Sequence, residues 1–485
     1  MMPTLRDTRI GIVKVPPVYP QEETNGENRI GQELERLTRI IGWYNETTGP
    51  FGNMIPRGAR VLVKPNWVIH ENYGPWGIEP LLTHASIVRA VVEGVLCAQP
   101  SAVFIGDAPI QSCDFDHLLR VTGLLRWTHG LMARDARFLG SRDFRRTKCV
   151  FQDGVRQAFE DQLPLERFIL FDLGVESLLE PITDKKGSFR VTQYDPRAMA
   201  TTHGPGRHQY LVAREVIEAD VIINLPKLKT HKKAGMTCAL KNLIGINGNK
   251  EYLPHHRING SALGGDCYPG FSLVKRALEF SFDRMNVARS RLEPRVWYTM
   301  TRVLNRVLHA MGDELGVEGS WSGNDTIWRT CLDLNRVLLY GRSDGTLSEK
   351  LQRTVLHVVD AVVAGQGDGP LSSQPLPLGL MLAGGNAAAV DRVASRLLGY
   401  DPERLPIVSH AFDGFSWPIA CFRPSDILLL GDLGSGGADE VLQKQGNSYP
   451  VIYPAGWRDA ITLSRRPSSI MTARPRSLEG QQPDA

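Results

Sequence analysis

Short apolar runs that alternate with helical periodicity constrain the fold of this chain more than any other feature of its sequence. The run Arg60 to Lys64 is followed by a loop rich in Gly and Pro and then by a helical stretch from about Thr83 to Cys97. The next apolar run, Ala102 to Ile105, ends at Gly106-Asp107. A strand, a helix and a second strand in this order are typical of parallel strands joined by a crossover helix. We therefore predict an α/β fold with a mostly parallel sheet and crossover helices.

The rest of the chain extends this pattern and interrupts it once. Further candidate strands are Phe168 to Phe171, Val221 to Asn224, Val358 to Val363, Leu378 to Leu382 and Ile427 to Leu430. Residues 270–350 are rich in Arg, contain three Trp and have amphipathic helical periodicity, which predicts a helical insertion. Residues 1–269 and 351–463 are then expected to form the α/β core together. Residues 464–485, rich in Pro, Ser, Arg and Gln, are predicted to be a disordered tail.

The near-neutral charge of the chain argues against proteins that recognise a polyanion. Its 485 residues carry 56 Lys and Arg against 52 Asp and Glu, a formal net charge of +4. A nucleic-acid or anionic-membrane partner is therefore not expected, and any basic site must be local. No uninterrupted apolar segment approaches the roughly 18 to 20 residues of a membrane helix, and residues 1–15 do not have the pattern of a signal peptide. We predict a cytoplasmic protein.

The cysteines and the known cofactor motifs also limit the possible chemistry. The seven cysteines are scattered and odd in number, with no Cys-x-x-Cys pair. A disulfide scaffold, a zinc ribbon or an iron–sulfur cluster held by these cysteines is therefore not expected. The sequence lacks a phosphate-binding P-loop, a full Gly-x-Gly-x-x-Gly fingerprint, and the Gly-x-Ser-x-Gly and His-Glu-x-x-His signatures. Nucleoside triphosphate and NAD chemistry are not supported, and the cofactor stays unknown.

The densest polar segment of the sequence follows the predicted strand Val221 to Asn224 directly. It places Lys227, Lys229, Thr230 and His231 at the carboxyl end of a buried strand. Ligands of open α/β sheets bind at that end, so the segment is a candidate anion site. The alternative is a solvated basic loop.

The same segment continues into a second set of candidate ligand-binding residues. If Ala234 to Leu243 is helical, Thr237 and Lys241 are four residues apart and share one face, with Asn242 beside them. Hydroxyl, ammonium and amide groups at this spacing suit a phosphate or a carboxylate.

Polar residues also follow two other predicted strands. Lys64 and Asn66 flank Pro65, which ends the first strand and turns both side chains out of the sheet. His84 follows Thr83, the expected helix N-cap, and is a candidate ligand donor. Asp107 closes another strand, where it can accept a proton or hold a metal, although an Asx turn is the alternative.

Two glycine-rich turns complete the candidate residues. The loop Gly365 to Pro370 allows close approach of its backbone to a ligand and presents the carboxylate of Asp368. Gly384-Gly385-Asn386 opens a predicted helix from about Ala387 to Leu398 and can supply amide donors to an anion, with Asp391 beyond it.

Taken together, these motifs resemble one known family, the domain of unknown function 362 (DUF362). The resemblance rests on Pro-Lys-Leu-Lys-Thr-His at 226–231 and Lys-Asn-Leu-Ile-Gly at 241–245, with the other candidate residues in the same order, and it spans about residues 60 to 400. Some members carry a ferredoxin-like tail with two four-iron clusters, and this chain has no matching Cys-x-x-Cys-x-x-Cys. The resemblance therefore implies an α/β fold and a set of residues, but no reaction.

We hypothesise an enzyme that binds a small anionic molecule, a carboxylate or a phosphate. The candidate catalytic residues, for acid–base or metal-assisted chemistry, are Asp107, His231, Asp368 and Lys229. The candidate ligand-binding residues are Lys64, Asn66, His84, Lys227, Thr230, Thr237, Lys241, Asn242 and Asn386. The alternative is a non-catalytic protein that binds a metal or matures an iron–sulfur or redox centre, because the Asp and His set has no obvious nucleophile. The substrate, the reaction, the metal and the oligomeric state are not identified by the sequence.

Overall fold

The fold was analysed in a computed structural model of the chain. It describes residues 5–20, 29–152, 155–161, 163–192, 194–287, 293–445 and 449–461. The predicted disordered tail, 464–485, lies outside the described residues.

The strands are short except for one near the C-terminal end of the chain. In chain order they are β1 (Arg9–Lys14), β2 (Arg60–Pro65), β3 (Ala102–Asp107), β4 (Phe138–Asp143), β5 (Thr147–Gln152), β6 (Val155–Asp161), β7 (Phe168–Asp172), β8 (Phe189–Arg190), β9 (His203–Gly204), β10 (Arg207–Ala213), β11 (Val221–Leu225), β12 (Lys227–His231), β13 (Gly235–Thr237), β14 (His256–Arg257), β15 (Thr354–Gln366), β16 (Gln374–Leu376), β17 (Leu380–Gly384), β18 (Leu428–Gly431) and β19 (Gly436–Gly437).

The helices range from single turns to five turns. In chain order they are α1 (Arg29–Ile40), α2 (Ala85–Cys97), α3 (Phe115–Val121), α4 (Leu124–Arg134), α5 (Pro196–Thr202), α6 (Arg214–Ile217), α7 (Ala239–Asn242), α8 (Leu273–Val287), α9 (Glu293–Ala310), α10 (Ile327–Tyr340), α11 (Ala387–Leu397), α12 (Pro406–Ser409) and α13 (Ala438–Gln445).

Twelve of the described strands form one large sheet, whose main path has the order β19-β18-β1-β17-β15-β11-β2-β3-β4. The strands β4, β3, β2, β11 and β15 lie side by side in parallel. Beyond the antiparallel strand β17, β1 and β18 again run in the direction of β15. The predicted α/β fold with a mostly parallel sheet is therefore confirmed.

Both faces of this sheet are covered, which explains why its strands read as continuous apolar runs. Successive side chains of a strand point to opposite faces. In β2, Val61 and Val63 accordingly pack into the core that contains α1 and α2, while Leu62 packs into the core on the other face. The second face is covered by α10 and α11 and by the small sheet of β7 and β10.

The structure corrects the predicted helix over Ala234 to Leu243. Only α7 is helical there, because Gly235 adopts a φ of +78° and β13 turns back to pair antiparallel with β12. The basic segment 227–231 is itself a buried strand rather than a loop. Likewise, the N-cap of α2 is His84 and not Thr83.

Three helices lie within residues 270–350, and they differ in burial. α8 and α9 pack on each other around a small core of their own that includes Leu278 and Leu308. α10 is buried along its whole length and packs into the two main cores of the second sheet face. The division into core and insertion stays a prediction. None of the helices in the described ranges is both long and apolar enough to cross a membrane.

Candidate anion-binding site

A cavity of about 280 Å³ opens at the carboxyl ends of β2 and β3. It is bounded by residues that follow these strands, by the β12–β13 turn, by α7 and by the segment that follows α7. Its polar side chains include Asn66, Asp107, Gln111, Thr192, Tyr194, His231, Lys232, Lys233, Thr237, Lys241, Asn242, Lys250, His255 and Glu318. Trp67, Val68, Ile110, Val191, Ile244 and Leu371 supply apolar surface. The cavity therefore suits a small molecule that has both charged and apolar parts.

The ion pair between Lys64 and Asp107 lies at the inner end of this site. Lys64 Nζ is 2.8 Å from Asp107 Oδ1, and both side chains are buried. Asp107 also accepts hydrogen bonds from the backbone N–H groups of Trp67, at 2.7 Å, and Ala108, at 2.9 Å. Burial raises the pKa of Asp107 and lowers the pKa of Lys64. With three donors on its two oxygens, Asp107 is held in place as part of the cavity wall.

A chain of amide hydrogen bonds fixes the polar residues next to this ion pair. Asn224 Nδ2 donates to the carbonyl of Ala239 at 2.9 Å, so its Oδ1 accepts from Asn242 Nδ2 at 2.7 Å. Asn242 Oδ1 in turn accepts from Asn66 Nδ2 at 2.9 Å and from Lys64 Nζ at 3.3 Å. Asn66 Oδ1 is buried and has no hydrogen-bond partner among the described residues. Asn66 and Asn242 are thus held rigidly at the wall of the cavity.

Lys241 is a buried cation without an anionic partner. Its side chain lines the cavity and makes no ion pair with any residue of the described ranges. Other positively charged or basic groups surround it: Lys64, Lys229, His231, Lys233, Lys250 and His255 all have electrostatic interactions with Lys241. Burial lowers the pKa of Lys241. Because an unpaired buried charge is costly, the arrangement favours an anionic ligand beside Lys241.

Lys250 is a second lysine without a partner in the described part of the chain. It lies in a 3-10 turn, Lys250–Tyr252, and its side chain lines the cavity. Burial lowers its pKa to about 7, and repulsion from Lys241 acts in the same direction. This lowered pKa makes the neutral amine of Lys250 accessible near neutral pH.

Two histidines present opposite hydrogen-bonding groups to the cavity. His231 Nδ1 accepts from the backbone N–H groups of Lys233, at 3.0 Å, and Ala234, at 3.2 Å, so its Nε2 carries the proton. His255 Nδ1 lies 2.6 Å from the carbonyl oxygen of Leu253 and must donate to it, so its Nε2 is an acceptor. Burial and nearby lysines hold both pKa values well below 6.5, so both rings are neutral. The site thus contains one fixed hydrogen-bond donor, His231 Nε2–H, and one fixed hydrogen-bond acceptor, His255 Nε2.

The outer part of the cavity contains one acidic residue between two lysines. Glu318 Oε2 is 3.3 Å from Lys232 Nζ and 3.8 Å from Lys233 Nζ, and Lys233 Nζ also donates to Thr192 Oγ1 at 3.2 Å. Although burial alone would raise the pKa of Glu318, attraction to the two lysines lowers it to about 2. The four lysines that line the cavity face only two carboxylates, those of Asp107 and Glu318, and the cavity is positively charged overall.

Two lysines of the predicted anion site lie outside the cavity. Lys227 Nζ is 2.7 Å from Asp360 Oδ2 and donates to the hydroxyl of Tyr19 at 2.6 Å. Lys229 Nζ donates to the carbonyl of Leu81 at 2.5 Å, and burial holds its pKa well below 10.5. Both side chains are fully buried within β12 and do not line the cavity. The structure therefore does not bring these two lysines to the cavity that Lys241 lines, and their role in ligand binding stays a prediction.

Three other predicted residues, Thr230, Asp368 and His84, also lie outside the cavity. Thr230 Oγ1 donates to the carbonyl of Gly367 at 2.7 Å, which ties β12 to the glycine-rich loop. Asp368, in that loop, is exposed and does not line the cavity. His84 caps α2 and stacks on Tyr19, with 3.7 Å between ring centroids, and burial lowers its pKa to about 4. Thr230 and His84 thus make contacts within the fold, and the structure does not bring these three residues together at the cavity.

Asn386 and Asp391, which follow β17 in the sequence, both accept hydrogen bonds from backbone N–H groups. Asn386 Oδ1 accepts from the N–H groups of Ala388 and Ala389 and so caps α11. Asp391 accepts from the N–H groups of Ala239, at 2.6 Å, and Leu240, at 3.1 Å, and burial raises its pKa to about 7. Asp391 therefore positions α7, which carries Lys241 and Asn242 into the site.

The sequence analysis missed several residues that line the cavity. Lys250 comes directly after the segment 245–249, which follows the predicted ligand residues Lys241 and Asn242, and this position was the available signal. Glu318 comes from the stretch 270–350, where no motif marks it. Gln111 and Tyr194, which hydrogen-bond to each other across the cavity wall, likewise belong to no recognisable pattern.

Comparison with known proteins identifies one family over the middle of the chain. The model described as Domain of unknown function (DUF362) matches residues 174–396. The matched region contains His231, Thr237, Lys241, Lys250 and His255, whereas Asn66 and Asp107 precede it. The resemblance predicted from the sequence is thus confirmed for this region.

Two individual proteins are also similar to the chain. A thylakoid-associated protein of Synechocystis sp. is 21% identical over 364 residues, which are 75% of this chain and 70% of that protein. A crystal structure of a Thermotoga maritima protein is 11% identical with a TM-score of 0.31, over 78% of this chain. This chain spans 60% of that protein's length, and we transfer no property across so distant a likeness.

Proposed function

We propose that this chain, which belongs to the DUF362 family over residues 174–396, binds a small anionic molecule in the lysine-lined cavity and acts on it by proton transfer. The family description names no activity, so the proposal depends on the cavity. The observation that carries it is Lys241, a buried amine without a carboxylate partner in the described ranges, beside Lys229, Lys250 and the thiol of Cys331. A carboxylate or phosphate group beside Lys241 would supply the missing counter-charge.

The other groups of the cavity support a reaction rather than binding alone. A substrate anchored at Lys241 would share the cavity with His231, whose Nε2–H is a hydrogen-bond donor, and with His255, whose Nε2 is a free acceptor. His255 Nε2 can take a proton from the substrate and return it, while His231 Nε2–H can stabilise negative charge on a substrate oxygen. We therefore assign Asp107 to holding Lys64, and His231 to hydrogen bonding to the substrate.

Binding can be tested directly by isothermal titration calorimetry of the full chain with inorganic phosphate and with glutarate. We expect saturable one-to-one binding of at least one of these anions. Cadaverine, a diamine of similar length to glutarate and opposite charge, is the matched control and should not bind. Failure of both anions to give saturable heat, or binding of cadaverine instead, would contradict the proposal.

Proton transfer can be tested by deuterium exchange into 2-oxoglutarate in D2O, followed by NMR. The wild-type chain should accelerate exchange of the protons next to the carbonyl, and His255→Gln should slow the exchange at least about tenfold. His129→Gln, at an exposed position outside the cavity, is the control and should exchange at the wild-type rate. Equal rates for wild type and His255→Gln would assign no proton transfer to His255.

The alternative of a metal-binding or maturation protein stays a prediction. Within the described residues, no three His, Cys, Asp or Glu side chains lie close enough together to form a metal site. The cytoplasmic location also stays a prediction.

A further inference from the structure

Lys250 and Lys241 are the cavity lysines without an ion-pair partner among the described residues, and Lys250 is the one carried on a turn that several hydrogen bonds hold in place. Lys64 is paired with Asp107, and Lys232 and Lys233 share Glu318. By contrast, Lys250 Nζ has no hydrogen-bond or ion-pair partner in the part of the chain that the structure describes. It lines the cavity, so it is accessible to a small molecule bound there.

Several backbone contacts fix the turn that carries Lys250. Asn249 Oδ1 accepts from the N–H of Glu251 at 3.0 Å, and the carbonyl of Lys250 accepts from the N–H of Leu253 at 3.0 Å. Thr202 Oγ1 donates to the carbonyl of Glu251 at 2.9 Å. A side chain on a turn held in this way is positioned before a ligand arrives, as reactive groups must be.

The charges near Lys250 favour its neutral form. Lys241, Lys64 and Arg145 all repel a proton on Lys250, whereas only Asp107 attracts one, and Asp107 is already paired with Lys64. A lysine that is desolvated next to another cation is the arrangement that activates an amine as a nucleophile. The pKa of about 7 agrees with this arrangement.

We propose that the Lys250 amine forms an imine with the carbonyl carbon of a small 2-oxo acid whose carboxylate is held by Lys241. This inference rests on the proposed function and names its substrate class. Lys241 and Lys250 then have different tasks: Lys241, on the short helix α7, binds the carboxylate, while Lys250, on the 3-10 turn, reacts with the carbonyl carbon.

The chemistry balances with the groups that line the cavity and with solvent protons. The nitrogen lone pair of Lys250 attacks the carbonyl carbon, and the former C=O electron pair becomes an oxyanion, to which His231 Nε2–H can donate a hydrogen bond. His255 Nε2 transfers one proton from the amine nitrogen to that oxygen, and a proton taken up from solvent lets the resulting hydroxyl leave as water and forms the C=N bond as an iminium. Loss of the remaining N–H proton to solvent gives the imine. The sum is amine plus carbonyl giving imine plus water, with no oxidation or reduction. The iminium acidifies the adjacent C–H, which is the step that deuterium exchange reports.

Reductive trapping tests this inference on the full chain. The protein is incubated with pyruvate or 2-oxoglutarate and sodium cyanoborohydride, and intact mass and peptide mass spectrometry locate the secondary amine. We expect one adduct per chain, at Lys250, and at least a tenfold lower yield for Lys250→Arg. Lys185→Arg, at an exposed position away from the cavity, should be trapped like wild type.

The outcomes separate this inference from the proposed function. An adduct at Lys241 or at surface lysines, or no adduct while glutarate still binds, would overturn the imine but leave the anion site. If glutarate and phosphate also fail to bind, both proposals fall. Peptide mapping of the wild-type chain decides the site of attachment even if Lys250→Arg does not fold.

Discussion

Replacement of Lys241 by Met is expected to weaken binding of glutarate or phosphate about 100-fold and to raise the melting temperature of the ligand-free protein. Loss of one partner of a buried charge pair typically costs about 2 to 5 kcal/mol of binding free energy. In the absence of ligand, however, Lys241 is a buried charge surrounded by other lysines, and a side chain of similar shape without charge removes that repulsion. Calorimetry and thermal unfolding measure the two effects separately.

Lys185→Met is the control for Lys241→Met, because Lys185 is exposed and lies outside the cavity. It should change neither binding nor melting temperature beyond small surface effects. If Lys241→Met lowers the melting temperature and leaves affinity unchanged, Lys241 stabilises the fold and does not bind a ligand.

The pH dependence of unfolding gives an independent readout of the same substitution. Burial places the pKa of Lys241 in the folded chain below 10.5, its ordinary value in the unfolded chain. At a pH between the folded-state pKa and 10.5, the unfolded chain therefore binds more protons than the folded chain. The contribution of Lys241 to the free energy of unfolding is therefore lowest at low pH and rises as the pH approaches 10.5. Urea unfolding from pH 7 to pH 10 should show a smaller rise in the free energy of unfolding for Lys241→Met than for wild type.

Gly245→Ala is expected to lower the free energy of unfolding by about 3 to 5 kcal/mol, the cost of breaking a buried ion pair. An added Cβ would overlap Asp107 Oδ1 and lie 2.9 Å from Lys64 Nζ, so the two charges would have to separate. Neither side chain can move to water, because both are buried. Denaturation by urea measures the loss.

Gly77→Ala provides a matched comparison for Gly245→Ala. A Cβ at Gly77 meets nothing within 4 Å, so its substitution should change stability by only a few tenths of a kcal/mol. A comparable loss in both variants, or an unchanged stability in Gly245→Ala, would mean that the Lys64–Asp107 pair tolerates displacement.

The fold was largely predictable because its strands are buried on both faces and so form apolar runs that end at recognisable turns. The strand-end rule likewise indicated Asp107 and Asn66, since residues after neighbouring parallel strands meet at one edge of the sheet. Lys241 was predicted from helical spacing over Ala234 to Leu243, although only Ala239–Asn242 is helical. The strand-end rule failed for Lys227, because its partner Asp360 comes from a strand far away in the sequence and no local pattern announces the pair. It failed for Lys250 and Glu318 because cavity walls built by loops depend on packing, which periodicity does not encode.

The position of β1 in the sheet has a consequence for how the chain folds during synthesis. β1 is synthesised long before its neighbours in the sheet, β17 and β18. Until the ribosome has released those two strands, the apolar segment 9–14 has no neighbouring strand to pair with. Pairings of such long sequence separation form slowly and leave apolar segments exposed meanwhile. We therefore expect the nascent chain to need protection from aggregation, by chaperones or by low concentration, until β17 and β18 have been made.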